Sequence, residues 1–429
     1  MRFLFDFVYL LACIVLSPWL LYRLCAAGRR DFALRFGAGL RDGPPSCIWL
    51  HGSSAGEVAV LRPLVARLER DHPGTPLLIS AFTATGLATA RKLYPRHRVV
   101  PLPVDLSFVV ARYLRCFNPR LLVVAESEFW PNLISLVHAR GVPAALVNGK
   151  MSAKSFRVHA RTRLVSGVLA KFSVLAVQTE EHAQRFLALG VPPARLHVTG
   201  NMKYDLTPPA AGGSSAHELR AALRYGHGDV VIIGGSLHDR EDEALLDAYV
   251  AARAACAEAA LVIVPRYPAD TDTVEQRARA RGFAVTRKTA VDAGTAPAPG
   301  RDGVLLVDTV GELSRLYAVA DLAFVGGSLF FRGANKGGHN LMEPAVLGVP
   351  VLFGPYNFSF KETVEDLLAA DAGRLVHDAA ELKAAVVGLV GDHDARRALG
   401  SRAQRVTEAG RGATARNYAL LVELLQARP

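Results

Sequence analysis

Short runs of Val, Ile and Leu alternate along this chain with longer amphipathic stretches. The alternation stops once, at residues 206–215 (LTPPAAGGSS), and then begins again. Apolar runs this short, without a polar residue at every second place, read as strands buried on both faces. Such strands are parallel, because parallel neighbours need a crossover, usually a helix. The candidates include residues 47–50, 77–80, 121–125, 144–147 and 174–178 before the break, and 230–233, 261–264, 304–307, 322–325 and 351–353 after it. The break has the composition of a linker. A chain of 429 residues exceeds one ordinary domain, and 51% hydrophobic residues can fill two cores. The expectation is two doubly wound α/β domains, residues 25–207 and 208–429. Their ligands should lie in a cleft where strand carboxyl ends meet helix amino ends. Residues 290–300 read as an exposed loop, and no internal repeat is evident.

Residues 3–22 are almost wholly apolar, interrupted by Asp6 and by Ser17-Pro18, about the ~20 residues a helix needs to cross hydrocarbon. Arg23, Arg29, Arg30, Arg35 and Arg41 follow, whereas only Arg2 precedes, which assigns everything after this segment to the cytoplasm. Residues 1–24 are therefore expected to be an uncleaved membrane anchor, spanning or lying in the interface. The net charge of +11 forms no concentrated stripe, and no helix-turn-helix, zinc finger or aromatic RNA platform accompanies it. That favours an anionic bilayer surface and an acidic substrate over nucleic acid. Five cysteines without a CxxC or a Cys/His cluster fit a reduced compartment and no zinc.

Several strand ends carry chemistry. His51-Gly52-Ser53-Ser54-Ala55-Gly56-Glu57 follows the first strand and opens a helix, whose dipole favours an ionised Glu57 and suits a general base; the plainer alternative is that Glu57 only complements the terminus. Glu126-Ser127-Glu128-Phe129-Trp130-Pro131-Asn132 puts two carboxylates and an aromatic at the same sheet edge, able to polarise a hydroxyl, unless one caps the next helix and Trp130 is core. Lys203, in Thr199-Gly200-Asn201-Met202-Lys203-Tyr204-Asp205, would neutralise a phosphate or a sugar carboxylate, or be merely solvated. In the second half, Gly234-Gly235-Ser236 and Gly326-Gly327-Ser328 follow strands as phosphate-cradling turns do, without completing a GxGxxG. Arg266 stands at a strand end, Gly311-Glu312-Leu313 opens a helix, and Gly337-Gly338-His339-Asn340-Leu341-Met342-Glu343-Pro344 is the densest cluster, where Glu343 would take both hydroxyls of a ribose. Asp270-Thr271-Asp272 spells DxD and reads as a helix-capping stretch. Unaided, the residues reach as far as a nucleotide site in the second domain.

In this order, the motifs resemble the Kdo transferases, which move 3-deoxy-D-manno-oct-2-ulosonic acid from CMP-Kdo onto lipid A precursors. The resemblance covers nearly the whole chain and rests on six or more separated motifs. It implies a GT-B fold: two Rossmann-like domains facing a central cleft behind a membrane anchor helix, with the acceptor on the N-terminal domain and CMP on the C-terminal one. It also implies an inverting enzyme of the inner membrane, its domains on the cytoplasmic face, with no cofactor and no metal, since a single phosphate can be held by cations and backbone N–H groups. By the family's pattern Glu57 is the proton acceptor, and Glu126 and Lys203 match positions assigned to transition-state stabilisation. The CMP contacts carry over to Pro265, Arg266, Val310, Gly311, Glu312, Asn340, Leu341, Met342 and Glu343. The chain departs from the family at Asn148-Gly149-Lys150-Met151-Ser152, where Lys150 stands in place of the usual arginine and exchanges a bidentate contact for a point charge. It departs again at Gly235-Ser236-Leu237-His238-Asp239, in place of a Ser-Thr-His-Glu run, and in the added Ala334-Asn335-Lys336. Another GT-B enzyme, a UDP-sugar transferase or epimerase, would share the two halves but is not expected to carry HGSSAGE and ESEFWPN together. A membrane-docked nucleotide-sugar binder without catalysis would have no use for Glu57, Glu126 and Lys203 together.

Overall fold

Strands whose every side chain is apolar can rest only between two layers of helices, and the chain builds that arrangement twice. The computed structural model describes residue 6 and residues 29–40, 46–162, 165–206, 213–238, 240–333 and 337–427. Apart from Asp6, the anchor expected over residues 1–24 lies outside these residues, as do Ala334-Asn335-Lys336. Among the described residues no helix is long and apolar enough to cross a membrane.

The first unit comprises residues 1–206 with residues 410–429. Its sheet contains β1 (Ile48–His51), β2 (Leu77–Ala81), β3 (Arg98–Pro101), β4 (Leu121–Ala125), β5 (Ala144–Gly149), β6 (Val174–Val177) and β7 (Leu196–Val198), in the order β3-β2-β1-β4-β5-β6-β7. Every pairing is parallel. Neighbours on one strand serve opposite cores: Trp49 packs among Tyr113, Phe117 and Leu122, while Ile48 and Leu50 pack among Val58, Leu64 and Leu121.

The second unit, residues 207–409, repeats the plan with β8 (Val230–Leu237), β9 (Ala259–Pro265), β10 (Ala284–Arg287), β11 (Gly303–Leu306), β12 (Leu322–Val325), β13 (Val351–Phe353) and β14 (Arg374–Leu375). The order is β10-β11-β9-β8-β12-β13-β14, again parallel. Val231 and Ile233 face one core, Val230 and Ile232 the other.

The C-terminal boundary corrects the sequence expectation of a second domain running over residues 208–429. The helix Ala413–Gln426 belongs to the first unit. Asp205 accepts hydrogen bonds from Gly412 N at 2.9 Å and Thr414 N at 2.6 Å, capping that helix, and Ala413, Tyr418, Leu421 and Leu425 join the core beneath β1 and β4. Part of the expected loop over residues 290–300 is the end of a short helix, Lys288–Asp292.

Candidate active site

Ser54 caps the helix Ala55–Val60, accepting from Glu57 N at 3.3 Å, and Glu57 answers: Ser54 Oγ donates to its Oε1 at 2.9 Å and Ser53 N to its Oε2 at 2.9 Å. This reciprocal cap fixes the carboxylate over the end of β1. Gly52 is required there, because a Cβ would lie 2.9 Å from the Glu57 carbonyl carbon. Burial, then the Glu126 charge, pushes Glu57 up to about 7, against the hydrogen bond from Ser53. The helix dipole is therefore outweighed, and the ionised form expected from the sequence is instead poised near neutrality. Glu128 is raised as well, chiefly by burial. Beneath them His51, held down at about 3 by burial, stays neutral between Ser80 and Ser53.

Glu126 follows β4 in the left-handed region at φ 61°, where a non-glycine residue is strained, and is only 6% exposed. Its Oε2 lies 2.7 Å from Lys150 Nζ, its Oε1 3.9 Å from Lys203 Nζ and 3.5 Å from Asn148 Nδ2. Asn148 is the hub. A register shift between Leu146 and Gly149 leaves it left-handed at φ 53°, and its Oδ1 accepts from Met202 N at 2.8 Å. The turn carrying Lys203 is thereby tied to the end of β5. Glu126 and Lys203 are thus brought together, Glu57 couples electrically to Glu126, and Lys150 joins as a third member.

In the second unit, Glu343, on the helix Met342–Ala345, accepts from Asn340 Nδ2 at 3.2 Å and from Ser314 Oγ at 2.7 Å. Ser314 belongs to the helix Leu313–Leu316, which Glu312 precedes, so the two expected nucleotide-binding segments meet at Glu343. Glu312 itself is engaged with Thr309 and, at 3.1 Å, with Lys288. Val310 stands 78% exposed beside Gly311, whose φ is 99°. Pro265 ends β9, and Arg266 N donates to Leu237 O at 2.8 Å while its side chain leans over Tyr267. Leu341 and Met342 are buried, so any ligand contact at these positions is made by backbone.

Two expectations are corrected. Gly234 and Gly235 lie inside β8, where a Cβ would meet Leu245 Cδ2 at 2.2 Å or the Tyr317 hydroxyl at 2.0 Å; they serve close packing and not a phosphate turn. The turn Gly326-Gly327-Ser328 is already filled by the buried carboxylate of Glu241, a residue sequence reasoning missed. Its Oε2 accepts from Gly327 N at 2.6 Å and His238 N at 2.9 Å, and its Oε1 from Ser328 N and Leu329 N at 2.9 Å. At the DxD, Asp270 holds the position before the helix Thr271–Ala280 without a side-chain cap, and Asp272 pairs with Arg287 at 2.6 Å. Among the described residues no acidic, cysteine and histidine cluster suits a metal.

Two seven-stranded parallel units with their polar groups at strand carboxyl ends define a GT-B protein. The chain superposes on MurG of Acinetobacter baumannii with a TM-score of 0.55 at 13% identity, covering 89% of this chain and 100% of that one. For UDP-GlcNAc 2-epimerase from Neisseria meningitidis the TM-score is 0.54 at 14% identity, with coverage of 89% and 100%. These likenesses are of fold. Residues 30–206 match the family model described as 3-deoxy-D-manno-octulosonic-acid transferase (kdotransferase). The 3-deoxy-D-manno-octulosonic acid transferase of Bordetella pertussis is 34% identical over 97% of this chain and 99% of its own length; that of Haemophilus influenzae is 31% identical over 89% and 88%. The chain belongs to the family of 3-deoxy-D-manno-octulosonic acid (Kdo) transferases.

Proposed function

We propose that the protein is an inverting glycosyltransferase that moves Kdo from CMP-Kdo onto a lipid A precursor in lipopolysaccharide biosynthesis. The observation that carries the mechanism is Glu57, fixed by Ser53 N and Ser54 Oγ and held at about 7. A base is most effective when its pKa lies near working pH. Glu57 takes the proton of the acceptor hydroxyl as that oxygen attacks the anomeric carbon. Lys150 and Lys203, positioned by Glu126, supply positive charge for the acidic sugar as its bond to phosphate breaks. On the second unit, Glu343 keeps a lone pair on each oxygen for the ribose diol, and Arg266 serves the nucleotide. The net charge of +11 and the arginines after residue 22 support a site of action on the cytoplasmic face of the inner membrane, with residues 1–24 as its anchor.

The test mixes the full-length protein in detergent with freshly made CMP-Kdo and a tetraacylated lipid A precursor. CMP release and lipid mass are then followed. A gain of one or more Kdo units, abolished by Glu57→Ala, is expected. Unchanged lipid beside a working control transferase, or binding of UDP without binding of CMP, would overturn the proposal.

A further inference from the structure

The loops after β8 and β12 bring His238 and His339 edge to edge. Their Nε2 atoms are 2.9 Å apart and their rings lie within 8° of parallel. At that separation one nitrogen must carry hydrogen and the other a lone pair, so a neutral pair shares a single proton along the contact. The surroundings are cationic. Arg266 approaches from the end of β9 and Arg332 from the loop after β12, and neither has a carboxylate partner among the described residues. These charges, after burial, hold His238 at about 3 and His339 at about 4. Among the described residues, Glu241 and Arg240 beside the pair are already engaged. Glu241 is spent on four amides, and Arg240 lies over the Phe330 ring. Across a cavity of about 120 Å³ beside His238, Asp242 binds Arg277 at 2.9 Å; Asp270 also lines that cavity. Tyr267 meets the His238 ring edge-on.

Positive groups gathered at the ends of the central strands, with two imidazoles kept uncharged among them, make a seat for an anion that is still one proton short. We propose that His238 and His339, with Arg266 and Arg332, hold the phosphate of the nucleotide, and that its arrival draws one proton from solvent into the imidazole pair. A neighbouring anion favours the protonated pair, and in that state both Nδ1 atoms become donors while one proton remains shared between the Nε2 atoms. The added charge lies beside the phosphate that departs with both electrons of the broken glycosyl bond. The inference rests on CMP-Kdo being the donor.

Calorimetric titration of the full-length protein with CMP at pH 6, in buffers of different ionisation enthalpy, counts the protons taken up. Wild type should take up about one more proton per CMP than His339→Gln or His238→Gln. Both variants should bind CMP about tenfold more weakly and cytidine, which lacks the phosphate, as wild type does. Equal proton counts in wild type and variants, or cytidine binding weakened as much as CMP binding, would overturn the inference and leave the donor assignment standing. No CMP binding by wild type would overturn both.

Discussion

The two units carry sheets of equal size, and each places its polar groups at the carboxyl ends of parallel strands, yet they handle charge in opposite ways. In the first, Glu57, Glu126 and Glu128 share one edge, and burial with mutual repulsion keeps Glu57 half-protonated near neutral pH. In the second, the deepest carboxylate, Glu241, has its oxygens bound by four backbone amides, while imidazoles beside two guanidiniums are kept neutral. One edge is left with a proton acceptor, the other with positive charge that no carboxylate among the described residues pairs. The same topology is specialised by which groups are denied a partner.

The sharpest way to break this contrast is Glu57→Gln. Transfer should fall by about 100-fold or more, measured as CMP release in the presence of lipid acceptor, with CMP affinity unchanged. A parallel loss of CMP affinity would end the division of labour. Next is Glu241→Ala, which strips the acceptor from four amides. It should destabilise the protein by about 3 kcal/mol, read as a lowered denaturant midpoint; an unmoved midpoint would show that the amides find other acceptors. Smaller again, Arg266→Ala or Glu343→Ala should weaken CMP binding about tenfold while leaving the pH profile of turnover in place.

The finest test concerns that profile. Transfer should rise with pH through about 7 as Glu57 loses its proton. Glu126→Gln removes the like charge that raises Glu57 most after burial, so the rise should move to lower pH by about half a pH unit. Stability should follow the same sign. The folded value of about 7 exceeds the ordinary 4.5, so ionising Glu57 costs the folded state increasingly from pH 4.5 to 7 and fully above. Glu57→Gln should accordingly raise Tm at pH 8 and leave it nearly unchanged at pH 4.

The ten interior strands were legible because burial on both faces demands unbroken apolar runs. The other four, β3, β7, β10 and β14, are the edges of their sheets. With one side open they tolerate Arg98, His197, Arg287 and Arg374, and so lose the signal. The site was legible in the same measure. Glu57, Glu126 and Glu343 stand in glycine- or aromatic-marked turns that announce themselves. Glu241 does not, since three of its four amide partners lie 86 to 88 residues away and nothing local marks a carboxylate that caps a distant loop; the nearest hint is its place three residues after the fourth, His238. Nor could spacing show that His238 and His339, 101 residues apart, share a hydrogen bond.

The chain leaves the first unit at Leu206 and re-enters it at Gly410. During synthesis the second unit is therefore complete before the first has received its last helix. Until Gly412 and Thr414 emerge, Asp205 lacks the amides it caps, and the apolar surface destined for Tyr418, Leu421 and Leu425 stays uncovered. The unit begun first on the ribosome is the one finished last, and a stalled or clipped C-terminus damages the half that starts the chain.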